Sequence, residues 1–247
     1  MRLPNLATLG ALLLLACGTT PARDGPGEIT HKPPPDDPFR HRPQPDDGME
    51  IEGQQGTLDD EEVSRVIEEQ MAGFRNCFRH TAGTFVAGNV LLQFVVAPTG
   101  RVQTVWIAES DLGSWPVEDC LLQAARFLEF PRPSGGGPAR FAFPFSWNER
   151  ASRLSSPIGV EWGYEALRGK RVLFDACRER NRFKGAFHLT VYIGRKGQVL
   201  SAGFHADHPA GDFAACAVTA LNDVPFPNPG GRIVKYQTLM EDLPDEP

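Results

Sequence analysis

Val95-Val96-Ala97-Pro98-Thr99-Gly100-Arg101-Val102 returns as Tyr192-Ile193-Gly194-Arg195-Lys196-Gly197-Gln198-Val199, 97 residues on when Gly197 is set against Gly100. Each copy ends an apolar run, makes a four-residue turn and starts a second apolar run. Pro98 pre-sets the first corner of its turn, and a glycine takes the left-handed position that closes a hairpin. Residues 90–96 and 102–108 therefore read as paired strands.

The pattern extends outward from that hairpin. Upstream, Asp59 and Glu62 have the spacing of a D-x-x-E capping box. Val63, Val66, Ile67, Gln70, Met71, Phe74, Cys77 and Phe78 then follow helical spacing, with only Gln70 polar on that face. Downstream, Ser114 and Pro116 suit the cap and first turn of a second helix carrying Val117, Cys120, Leu121, Ala124 and Phe127. Phe130-Pro131-Arg132-Pro133 breaks that helix, and Gly135-Gly136-Gly137 follows. Phe141, Phe143, Phe145 and Trp147 alternate as in a strand with one buried face. The order is α-β-β-α-β. It recurs in register: Phe226-Pro227-Asn228-Pro229-Gly230-Gly231 repeats the breaker 96 residues after Phe130, and Cys177 and Cys216 follow Cys77 and Cys120 by 100 and 96. The expected fold is α+β, in two tandem α-β-β-α-β units.

Composition agrees with two modest cores. Of 247 residues, 41% are hydrophobic, too many for wholesale disorder. A net charge of −6 argues against a nucleic-acid binder that works through bulk charge. No apolar run reaches the roughly 18 residues of a membrane span, which excludes a polytopic membrane protein.

Residues 1–17, MRLPNLATLGALLLLAC, set the compartment. Arg2 precedes an apolar run over 6–16 that is too short to span a bilayer, the anatomy of an export signal. Leu14-Leu15-Ala16-Cys17-Gly18 resembles the lipobox of bacterial lipoproteins, in which the signal is cut before a cysteine that carries lipid. The alternative is an ordinary signal peptide, or an uncleaved anchor, with a chance cysteine. The lipobox implies a signal peptide over 1–16, lipidation at Cys17, and a membrane partner reached through that anchor. Gly18 stands where an inner-membrane lipoprotein carries Asp, which favours the periplasmic face of the outer membrane. Residues 17–56 are proline-rich, with Pro33-Pro34-Pro35 and almost no apolar side chains, and read as a disordered tether. The expected layout continues with a first unit over 57–148, a connector over 149–164, a second unit over 165–241 and an acidic tail over 242–247.

With Cys17 assigned to lipid, Cys77, Cys120, Cys177 and Cys216 remain, two per unit. Four cysteines allow three pairings. The duplication favours Cys77–Cys120 and Cys177–Cys216, in an export compartment that permits disulfides.

The stretch 51–147 resembles the C-terminal domain of the myxobacterial AgmX/PglI group, related to the C-terminal domains of TonB-like energy transducers. Ile51-Glu52-Gly53, Gly56-Thr57-Leu58, Cys77, the Gly100 hairpin, Glu118 with Cys120, Phe130-Pro131-Arg132-Pro133 and Phe143-Pro144-Phe145 carry the likeness. The second unit matches less well and has Tyr236-Gln237-Thr238 where the first has Phe-Pro-Phe. The resemblance implies, for each unit, a small antiparallel three-stranded sheet with two helices on one face, and binding of a short peptide along a strand edge. A TonB-type transducer has an N-terminal membrane helix, and this chain has a lipobox in its place.

Motifs for catalysis are lacking: there is no G-x-S-x-G, H-E-x-x-H, P-loop, helix-opening G-x-G-x-x-G or C-x-x-C. His205-Ala206-Asp207-His208 has ligand-like spacing but reads as a loop beside Pro209 and Gly211. Glu109 and Asp111 read as loop and capping residues, not a catalytic pair. Trp106, Trp162 and Tyr164 read as packing, in a core or between the units. No enzyme activity, cofactor, metal or small-molecule substrate is expected, and no nucleic acid. The expected function is a lipid-anchored periplasmic protein–protein interaction module, a scaffold or accessory part of an envelope machine for motility, transport or secretion. The alternative is a TonB-like participant in outer-membrane transport. Envelope proteins are the expected partners. The expected acceptor edge is the proline-free strand of the second unit, at Val234, Tyr236 and Thr238.

Overall fold

The computed structural model describes residues 51–241, apart from 54–55, 82–83, 149–154 and 169. The signal peptide, Cys17, nearly all of the tether and the tail at 242–247 lie outside the described residues. The chain is α+β, with six α-helices and two four-stranded sheets among the described residues.

The first sheet is built on the expected hairpin. β2 (Gly88–Val96) pairs antiparallel with β3 (Val102–Ser110) on one side and β4 (Ala139–Trp147) on the other. Alternate β2 residues are buried, as a sheet with one packed face requires. Against that face lie α1 (Asp60–Glu69), α2 (Met71–Cys77) and α3 (Trp115–Arg126). Asp59 caps α1 by accepting from the Glu61 and Glu62 N–H groups at 3.0 and 3.1 Å. The single helix expected over 59–78 is divided at Gln70, whose carbonyl accepts from both Gly73 and Phe74.

In the second sheet, β6 (Phe187–Ile193) pairs antiparallel with β7 (Val199–His205) and β8 (Ile233–Met240). α4 (Val160–Arg168), α5 (Arg171–Asn181) and α6 (Asp212–Leu221) accompany a second core around Phe174, Phe187, Phe204 and Phe213. Disulfides join Cys77 to Cys120 and Cys177 to Cys216, with Cα–Cα distances of 5.6 and 5.7 Å. Each ties a helix before its hairpin to one after it.

The sheet margins depart from the expected layout. Each sheet has four strands, not three. β1 (Ile51–Gly53), inside the expected tether, pairs antiparallel with the start of β4. β5 (Ser155–Ile158), inside the expected connector, pairs in parallel with β8, and α4 begins there too. Three- and four-residue strands are too short to show periodicity, yet they cover backbone groups that an edge would leave unpaired. The second sheet therefore begins about ten residues before the expected boundary.

Both sheets belong to one compact unit. β6 shows why: apart from His188, every one of its residues is buried, so the strand is covered on both faces. Its core face meets the helices. Its back face, with Thr190 and Tyr192, meets the first half of the chain. Gly113 (φ +70°) makes the approach possible, because a Cβ there would stand 2.9 Å from both Thr190 Cγ2 and Tyr192 Cε2.

Candidate functional site

The acceptor edge expected on β8 is covered by β5 at Val234 and Tyr236, but not at Thr238. Val234 and Tyr236 are fully buried and Thr238 is 7% exposed, so all three side chains point into the protein. β5 occupies the outer side of β8 from Ile233 to Tyr236. Tyr236 packs under α4, its hydroxyl donating to the Val160 carbonyl at 2.9 Å, with Trp162 at 6.3 Å between ring centroids. Trp162 thus packs in the second core, whereas Tyr164 is 46% exposed.

The free edges of the other strands are occupied to different degrees. β1 covers β4 at 139–141, and Pro144 further along has no N–H to offer. The edge of β7 turns to the first sheet: the Phe204 N–H donates to Glu118 at 2.9 Å and the Ala206 N–H to the Ile107 carbonyl at 3.2 Å. That last bond fixes the geometry of β3. Because the Ile107 carbonyl points away from β2, the N–H and C=O of Val105, two residues earlier, point the same way. The edge of β3 from Val102 to Ile107 borders a cleft of about 330 Å³. Among the described residues nothing pairs with the outward backbone groups of Val105.

The cleft has an apolar floor of Val105, Ile107, Trp115 and Phe204, the last two in edge-to-face contact at 6.4 Å. One wall is α3, through Asp119, Leu122, Gln123 and Arg126. The other is the segment leading into α6, from His208 to Ala215. Trp106 also lines the cleft, and its buried indole N–H has no partner among the described residues. Trp106 thus lines the cleft and belongs to neither core cluster.

Glu109 and Asp111 are not paired. Glu109 is an exposed residue of β3. Asp111 accepts from the Asn89 N–H and meets Lys235 of β8 at 3.1 Å, so it caps locally and bridges the halves. Neither His205 nor His208 sits beside the other's ring. His205 stacks on His188 with centroids 4.4 Å apart, whereas His208 bonds Asp207 at 2.5 Å and stacks on Phe183. Burial, and then the neighbouring His188, hold His205 down at about 3, so the stacked pair is neutral at pH 7.

Sequence reading missed Glu118 as a site residue. It is completely buried on α3, accepting from the Ser110 hydroxyl at 2.7 Å as well as from the Phe204 N–H. Burial pushes its carboxyl up to about 7, against the opposing pull of those hydrogen bonds. A signal was present: Glu118 lies within the buried stripe Val117, Leu121, Leu122 and Ala125 of its helix. No protein family, curated protein or solved structure matches the chain.

Proposed function

We propose that this chain is a lipid-anchored interaction module of the bacterial envelope, and that it holds an extended segment of a partner protein by strand addition to β3. The observation that carries the reading is the outward backbone of Val105 beside an apolar-floored cleft. The lipobox at Leu14–Cys17 and two disulfides fit an exported protein, tethered through Cys17 by a proline-rich spacer. Two related tandem units underlie the arrangement. In support, Gly100 and Gly197 have φ of +88° and +87°, and each carbonyl accepts from the phenylalanine N–H of the following Phe-Pro element. The role is binding, without catalysis, in a scaffold of an envelope machine.

The test places a photo-crosslinking residue at Gln123, in the cleft wall, and at Glu179, outside it, in cells. The reading holds if one envelope protein crosslinks at Gln123 alone, and a synthetic peptide of its crosslinked segment slows hydrogen exchange at the Val105 N–H. Equal crosslinking at both positions, or a peptide that leaves Val105 unprotected, defeats it. For the anchor, Cys17→Ser is expected to move the protein from the detergent phase to the soluble periplasm.

A further inference from the structure

Glu118 lies where the two sheets meet, and its surroundings allow it little freedom. It belongs to α3, the wall of the cleft, and holds the backbone of Phe204, part of the floor contributed by the other sheet. Gly203 faces it with no side chain, because a Cβ there would collide with both carboxylate oxygens. Ser110 donates its hydroxyl to the carboxyl, a bond that favours the ionised form, and accepts from the Leu112 N–H.

The charged and titratable groups around this point are otherwise matched. On β8, Lys235 donates to Asp111 at 3.1 Å and to the Ala87 carbonyl at 2.9 Å, and the charge of Glu118 favours its ammonium from further off, without a hydrogen bond between them. On β6, the Tyr192 hydroxyl is engaged by Ala87, and burial pushes it upward, so it stays neutral. His188 and His205 of β6 and β7 are held below their ordinary range, first by burial. Glu109 and Asp207 are exposed, and Asp119 lies outside the seam on the cleft side of α3. Glu118 is therefore the one carboxyl whose charge, once formed, is enclosed in the seam with no cation bonded to it among the described residues.

We propose that Glu118 is a proton-operated latch: its protonated form docks the second sheet on the first and completes the cleft, and its ionisation loosens that docking and weakens capture of the partner segment. This deepens the β3 reading and rests on it for the capture step alone. The sign follows from linkage. A carboxyl raised from 4.5 to about 7 in the docked state keeps its proton there to higher pH than when solvated. Docking is therefore strongest in acid and is lost as pH rises through about 7, falling about tenfold between pH 6 and pH 8.

The test is hydrogen exchange of the full-length chain in detergent, followed at peptides that contain Phe204 and Ala206, with Glu118→Gln as the reference at every pH. The amide of Gln can neither gain nor lose the proton, so its pH dependence is that of exchange chemistry. Wild-type protection that falls away from the variant's by about tenfold between pH 6 and pH 8 supports the latch. Curves that stay parallel overturn it. Ser110→Ala removes a bond that favours the ionised form, so the divergence moves to higher pH if the latch is right, and stays in place if it is wrong. Should Glu118→Gln fail to keep its disulfides, Ser110→Ala is compared directly with the wild type: a protection midpoint moved to higher pH supports the latch, and an unmoved one overturns it. Crosslinking at Gln123 over the same pH range separates the two readings. Capture absent at every pH, with the exchange pattern intact, defeats strand capture but not the latch.

Discussion

The hydroxyl of Tyr192 is held between two backbone groups of a single residue, Ala87: it accepts from the N–H at 3.1 Å and donates to the C=O at 2.9 Å. Tyr192 is 1% exposed, and its ring joins the core of the sheet to which it does not belong by strand pairing. Tyr192→Phe keeps the ring and removes both bonds. The Ala87 carbonyl still accepts from Lys235, but the N–H is left buried without a partner. The expected cost is about 1–3 kcal/mol of unfolding free energy, read from urea titrations. An unchanged midpoint would show that water replaces the hydroxyl at no cost.

The two hairpin glycines are expected to tolerate no side chain. Gly100 and Gly197 hold positive φ, and a Cβ at either would collide with the carbonyl of Phe130 or Phe226. Gly136 has φ +78° too, yet a Cβ there would meet nothing within 4 Å. Gly136→Ala then carries only the left-handed penalty of about 1–2 kcal/mol. Gly100→Ala and Gly197→Ala add a backbone collision to it. Thermal melts should therefore rank both well below Gly136→Ala, and equal losses at all three sites would remove the collision from the account.

The outcome separates two kinds of sequence information. Strand pairing across Gly100 and Gly197, the helix stripes and the cysteine pairs were legible because each is a local pattern repeated at matched spacing. β1 and β5 were not, since strands this short are stabilised by the edges they cover and leave no period. At Val234, Tyr236 and Thr238 the alternation places the side chains in the core, and β5 lies along the edge from Ile233 to Tyr236, which alternation alone does not reveal. Glu118 stands in the sequence as an acid in an apolar stripe and as part of the resemblance with Cys120, signals that gain meaning once Gly203 and Phe204 are placed beside it.

Histidine titration gives the fold an acid limit. His205 is held at about 3, by burial first and by His188 second, so the folded state keeps it neutral where the unfolded chain binds a proton. Its contribution is fully present above about pH 6.5 and is lost as pH falls toward 3, at no more than about 1.4 kcal/mol per pH unit. Glu118 acts in the opposite direction between pH 4.5 and about 7. His205→Gln is expected to flatten the loss of stability between pH 6 and pH 4, measured as the midpoint of urea unfolding against pH. A slope equal to that of the wild type would place the acid sensitivity elsewhere.

Tyr236→Pro distinguishes a closed β8 from an open one. On an exposed edge, a proline removes one donor and leaves the fold in place. Here β8 has β6 on one side from Val234 to Met240 and β5 on the other at residues 233–236. Tyr236 is paired with Val191 and with Ile158 at once, so a pyrrolidine ring at this position interrupts a strand with a neighbour on each side. The side chain is lost as well: a ring packed against Trp162 and Phe226, and a hydroxyl bonded to Val160. Truncating a buried aromatic alone costs about 3–5 kcal/mol. The expected result is loss of the cooperative transition of the second core by circular dichroism. If Tyr236→Pro instead keeps a native spectrum and native melting, β5 is not seated on β8 in solution, and the edge at Val234, Tyr236 and Thr238 returns as a candidate acceptor.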